Sequence, residues 1–169
     1  DAALAYIESS LAKTPKHTGM TPVISAEALI GNPYCGGFNA KLNADRLKEL
    51  FPDGRILIVV REQQKLIRSL YKTLVTWGMP HSIKRLLHPV DTSLAPQFNL
   101  EFLRYDKAVA YYQHLFGKDN VLVLPYEQFL EEPTLFLRIL FDFSGQDVGN
   151  SLARLPVQKR VNTNQTLLN

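Results

Sequence analysis

The sequence predicts an α/β domain of three layers, with helices on both faces of a short parallel sheet. Three observations lead there. Apolar runs of strand length stand at Pro22–Ser25, Arg55–Val60 and Val121–Leu124. Longer segments whose apolar residues recur at three- and four-residue intervals separate them, the spacing of amphipathic helices. The resulting order, α-β-loop-α-β-α-α-α-β-α-α, alternates as crossover helices between parallel strands do.

Each element has its own reason. Residues 2–12 carry Leu4, Ile7 and Leu11 at helical spacing. Thr14 to Thr21 holds Pro15 and Gly19 and reads as a loop. Gly31 to Gly37 has three glycines and a proline, which break helix and strand alike. Ala44 to Phe51 is an amphipathic helix with Asn43 as its expected N-cap, and Pro52-Asp53-Gly54 turns the chain. Arg55–Val60 is the clearest strand, nearly all β-branched residues and Leu, as a strand covered on both faces would be. Glu62 to Thr76 is helical, with Leu66, Leu70 and Leu74 on one face. A short basic helix, Ile83 to Leu87, follows Pro80, and Pro89 to Gln97 is a loop. Leu100 to Phe116 reads as one long helix that Gly117 ends. After the strand at Val121–Leu124 come a helical turn, Tyr126 to Leu130, and a helix from Pro133 to Phe143 that Gly145 stops. The tail from Pro156 to Asn169 is polar, basic and irregular.

Composition narrows the function classes. The 169 residues are 46% apolar and 21% charged, enough for the core of a single domain spanning 1–169. No apolar run approaches 18 residues, so no transmembrane helix is expected, and residues 1–13 lack a signal-peptide layout. One cysteine excludes a disulfide scaffold, and the four histidines have no metal-like spacing. A net charge of +3 leans toward anionic ligands and is too mild to call for nucleic acid. A cytoplasmic protein is the expectation. The chain opens on Asp1, so a missing N-terminal strand is expected.

In an open parallel sheet, ligands bind beyond the carboxyl ends of the strands. Three polar groups stand there: Ser25-Ala26-Glu27, Arg61-Glu62 and Tyr126-Glu127. Arg61, Lys65, Arg68 and Lys72 oppose the lone acidic residue Glu62 in the segment 61–72, and Ser69 shares the helix side of Lys65 and Lys72. A guanidinium fork and a hydroxyl suit a dianionic phosphate. A solvated basic helix face explains the same spacing. Trp77, Phe102 and Tyr111-Tyr112 read as packing, Cys35 as an inert thiol, and Glu127 as a structural contact or cap.

Residues 55–72, RILIVVREQQKLIRSLYK, resemble the strand-loop-helix with which sulfotransferases bind the 3′-phosphate of their donor. The family's pattern is an apolar strand, Arg, seven residues, then Ser, with an aromatic two residues later; Arg61, Ser69 and Tyr71 have that spacing. Residues 120–133, NVLVLPYEQFLEEP, resemble the family's second strand with its Tyr-Glu and acidic-Pro turn, and residues 23–50 are similar to a stretch of bacterial sulfotransferases. The resemblance implies a P-loop nucleotide-hydrolase-like architecture. It implies an enzyme moving a sulfuryl group from 3′-phosphoadenosine 5′-phosphosulfate to an acceptor hydroxyl without a metal. A carbohydrate acceptor is favoured, with a lipid or small alcohol as alternatives. Arg61 and Ser69 would hold the 3′-phosphate, Tyr126 would approach the adenine, and Lys159 and Arg160 could add donors from the tail. Glu27, after the strand preceding the 3′-phosphate strand, would be the general base, although it could instead pair with Arg46 or Lys41. The family's phosphosulfate loop has no counterpart in residues 1–22, and the family continues past Asn169, so this chain is expected to be the central piece of the domain and inactive alone. Two rivals stand: a non-catalytic relative, and a P-loop small-molecule kinase, against which the sequence has no G-x-x-x-x-G-K-[ST] loop and no Asp at the strand ends.

Overall fold

Two parallel strands set the frame: β1 (Ile56–Val60) and β2 (Val121–Pro125), hydrogen-bonded neighbours in register from Ile56↔Val121 to Val60↔Pro125. The structure is a computed structural model that describes residues 9, 21–79, 82–89 and 97–147. Its helices are α1 (Ala40–Leu50), α2 (Gln63–Thr76), α3 (Ile83–Leu87), α4 (Tyr105–Phe116), α5 (Tyr126–Glu131) and α6 (Pro133–Ser144), with 3₁₀ turns at Glu27–Ile30, Pro33–Cys35, Leu100–Leu103 and Lys118–Asn120. The expected helix at 2–12 and the tail at 156–169 lie outside the described residues.

The side-chain alternation of the strands decides where the layers go. Ile56, Ile58, Val60, Val121 and Val123 point to one face, where α1 and α4 cover them. The core there joins Ala44 of α1, Ile58, Val121, and Tyr112 and Phe116 of α4. Fully burying a side chain of that size stabilises by roughly 1.5–3 kcal/mol. On the opposite face α5 and α6 contact β2, and Leu124 is buried. β1 is less well covered on that face: Leu57 is 37% and Val59 46% exposed, against 4% for Ile58. The run of apolar residues in β1 therefore does not mean burial on both faces among the described residues. A second cluster sits beside the sheet, where Leu70 of α2 and Leu86 of α3 meet Phe98 and Leu103.

Four expectations need correction. Pro22–Ser25 is not a strand: its backbone is irregular and Val23 is 82% exposed. A four-residue apolar run carries no register of its own, and Pro22 has no N–H to offer a ladder. Helix α1 starts four residues early, at Ala40, so Asn43 lies within it and donates from Nδ2 to the Ala28 carbonyl at 2.9 Å instead of capping. The long helix from Leu100 breaks at Arg104, whose ψ of 70° is not helical, into a 3₁₀ turn and α4. Trp77, expected to pack, is 67% exposed with its ring 5.0 Å from that of Tyr34.

Elsewhere the local chemistry works as read. Gly145 ends α6 in the left-handed region, at φ 73°. Gly37, at φ 67°, lies so close to Phe102 that a Cβ there would come within 2.6 Å of the ring, so this turn needs glycine both for its conformation and for its contact.

The one-sided burial of β1 has a measurable consequence. Ile58→Ala opens a cavity in the core and is expected to cost about 2–5 kcal/mol in urea denaturation. Leu57→Ala, on the neighbouring strand position but the open face, is expected to cost less than half as much. Equal losses would show that both faces of β1 are sealed.

Candidate functional site

The parallel register that pairs Val60 with Pro125 also brings together the residues that follow them, Arg61 and Tyr126. The Arg61 guanidinium carbon lies over the Tyr126 ring, 5.1 Å from its centroid. A cation over an aromatic face gains about 0.5–2 kcal/mol, more as water is excluded. Arg61 is half-buried, and its Nε is buried with no hydrogen-bond partner among the described residues. The ion pairs among those residues are Lys65–Glu62, Arg104–Asp106 and Lys107–Glu101, none involving Arg61. A partly desolvated guanidinium outside any ion pair among the described residues retains donors that an anion can use.

Side chains from two other elements fix the elbow between β1 and α2, and one from α2 itself ties it to a neighbouring turn. Tyr105, at the start of α4, donates from its hydroxyl to the Arg61 carbonyl at 2.9 Å. Glu127, second residue of α5, accepts the Glu62 backbone N–H on Oε1 at 3.2 Å. Gln63 donates from Nε2 to the Leu103 carbonyl at 2.9 Å. The Glu62 carboxylate then caps α2 by accepting the Gln64 N–H at 3.1 Å. Burial raises the pKa of the Tyr105 hydroxyl, so it remains a proton donor throughout the neutral range.

Helix α2 carries the basic face away from this elbow. Lys65, Arg68 and Lys72 are exposed, and Ser69 is half-buried. Ser69 sits about 9 Å along the axis from the first residue of α2, four residues after Lys65 and three before Lys72. The Ser69 carbonyl accepts from the Thr73 hydroxyl at 3.1 Å.

Glu27 opens a 3₁₀ turn and is exposed, and no strand precedes it among the described residues. That turn hangs on the helical layer: Asn43 binds the Ala28 carbonyl, and the Tyr112 hydroxyl donates to the Leu29 carbonyl at 3.4 Å. Tyr112 is seven residues along α4 from Tyr105, about 10 Å down the axis. Arg160 and Lys159 lie outside the described residues. No cluster of metal-ligating side chains occurs among the described residues, and no helix there is long and apolar enough to cross a membrane. Tyr105 was the residue that sequence reasoning missed. Read as the middle of one long helix, it had no special place; the break at Arg104 puts it at a helix start facing the elbow.

Comparison with known proteins adds two findings. The sulfotransferase family matches residues 39–149. Among solved structures, the chain is similar to a sulfotransferase from Alicyclobacillus acidocaldarius, with 24% sequence identity and a TM-score of 0.55, over 64% of this chain and 46% of that one. At that identity the likeness is one of fold, and it spans less than half of the neighbour's length. No curated protein matches.

Proposed function

Since the chain belongs to the sulfotransferase family, we propose that the elbow of β1 and α2 binds the 3′-phosphate of 3′-phosphoadenosine 5′-phosphosulfate and that the protein transfers the sulfuryl group to an acceptor hydroxyl. The observation that carries this reading is the half-buried Arg61 over Tyr126, without a carboxylate partner among the described residues. These residues fit the 3′-phosphoadenosine half of the donor. Arg61 supplies a planar donor fork, Ser69 a hydroxyl, and the basic face of α2 a positive field. Tyr126 supplies an aromatic face for the adenine, and Arg160 a further donor to the phosphate.

The proposed reaction follows from the chemistry of the donor. The acceptor oxygen forms a new bond to sulfur while the bond from sulfur to the 5′-phosphate oxygen breaks, and the acceptor proton passes to a carboxylate base. Adenosine 3′,5′-bisphosphate leaves. Arg61 and Ser69 work at the far end of the donor, where binding energy orients the reacting sulfur without touching it. Glu27 is the proposed base on the family resemblance of residues 23–50, its side chain being exposed and open to an acceptor. A carbohydrate is the proposed acceptor, and a cytoplasmic setting suits the single free thiol of Cys35.

Calorimetry on the full chain tests the donor assignment. Adenosine 3′,5′-bisphosphate is expected to bind more tightly than ATP, and Arg61→Ala to weaken it at least about tenfold, the loss of one charge-assisted hydrogen bond. Unchanged binding by a folded variant would contradict the assignment, and a preference for ATP would favour a kinase. Glu27→Gln keeps the shape and removes the basicity; in a protein that also carries the phosphosulfate loop, turnover is expected to fall by roughly two to four orders of magnitude, with bisphosphate binding little changed. Near-normal turnover would take Glu27 out of the mechanism.

A further inference from the structure

Arg61 can serve as a phosphate fork only if its backbone is held, and the two bonds to the peptide group that follows it come from outside its own strand and helix. The two residues between β1 and α2, Arg61 and Glu62, have no regular ladder to fix them; Glu62 has φ −51° and ψ 124°, neither helical nor part of the sheet. Two neighbouring backbone groups, the Arg61 carbonyl and the Glu62 N–H, each bind a side chain from another element, Tyr105 of α4 and Glu127 of α5. Glu127 is sequence neighbour to Tyr126, whose ring lies beneath the guanidinium. One short stretch, Tyr126-Glu127, therefore touches both the side chain of Arg61 and the backbone just after it. The carboxylate bonds to the backbone N–H and makes no ion pair with Arg61, which leaves the guanidinium donors unclaimed by it.

We infer that Glu127 and Tyr105 are positioning residues that set the selectivity of this site for a 3′-phosphate, by clamping the Arg61-Glu62 backbone from both sides. Neither touches the ligand. Their effect passes through Arg61, because a displacement of an ångström or so at the elbow removes the fork from the phosphate without removing its charge. This rests on the donor reading given above.

The test compares two ligands that differ only in the group at issue, adenosine 3′,5′-bisphosphate and adenosine 5′-monophosphate, titrated into the full chain. In Glu127→Ala the Glu62 N–H loses its acceptor; bisphosphate affinity is expected to fall about tenfold while monophosphate affinity stays within about threefold. Glu127→Gln retains an amide oxygen in place of Oε1 and is expected to restore the selectivity ratio to within about threefold of wild type. Tyr105→Phe, which removes one hydroxyl and little volume, is expected to lower the ratio in the same direction and covers the case in which Glu127→Ala does not fold. A merely structural role would weaken both ligands together and would not be rescued by Gln. Wild-type selectivity that survives in Glu127→Ala and Tyr105→Phe overturns the inference alone; a wild-type protein with no preference for the bisphosphate overturns the donor reading with it.

Discussion

The site depends on one adjacency, the guanidinium of Arg61 over the ring of Tyr126. Neither residue is near the other in sequence. The parallel pairing of β1 with β2 brings them together, because Val60 and Pro125 are register partners and the next residue of each strand leaves the sheet at the same height. A shift of one residue in that register would turn every side chain of the slipped strand to the other face and separate the pair. The core beneath prevents such a slip: Ile58 and Val121 are buried with Ala44, Tyr112 and Phe116 and cannot be exchanged for Leu57 and Leu122 without exposing them. The electrostatics at the strand ends are thus fixed by apolar packing lower in the sheet.

The helices contribute through their termini. Helix α4 lays its apolar side on the sheet and so brings its first residue, Tyr105, to the carbonyl of Arg61. Helix α5 starts directly at the end of β2, which leaves Glu127 one residue from the ring and within reach of the Glu62 N–H. Helix α2 is capped by Glu62 and carries Lys65, Arg68 and Lys72 on its solvent side. The elbow is tied at its backbone beside the guanidinium and flanked by exposed basic side chains of α2.

Much of this was legible in the sequence, for reasons specific to each element. β1 was readable because Ile56–Val60 is five consecutive apolar residues, four of them β-branched, and β2 because Val121–Leu124 is unbroken Val and Leu following the helix stop at Gly117. Helix α6 was readable at both ends, from Pro133 and Gly145. Arg61 and Tyr126 stood out as polar residues directly after such runs. The short run at Pro22–Ser25 misled because only Val23 and Ile24 in it are aliphatic, between a proline and a serine, too little to separate a strand from an irregular segment. The break at Arg104 was hidden because Leu100 to Phe116 keeps helical spacing across it; the Asn99 side chain, which accepts the Glu101 N–H, starts a 3₁₀ turn that the pattern cannot distinguish from the first turn of a helix. Tyr105 was lost with that break. The partners of the elbow were out of reach for a further reason: the Glu62–Glu127 bond spans 65 residues, and no local pattern encodes it.

The most direct test of the central claim is a crystal structure of the protein with adenosine 3′,5′-bisphosphate. The account places the 3′-phosphate within hydrogen-bonding distance, about 2.7–3.2 Å, of the Arg61 guanidinium, with the adenine on the Tyr126 side of the elbow. A bound bisphosphate whose 3′-phosphate lies away from Arg61, with the guanidinium still over Tyr126 and facing no anion, would contradict it.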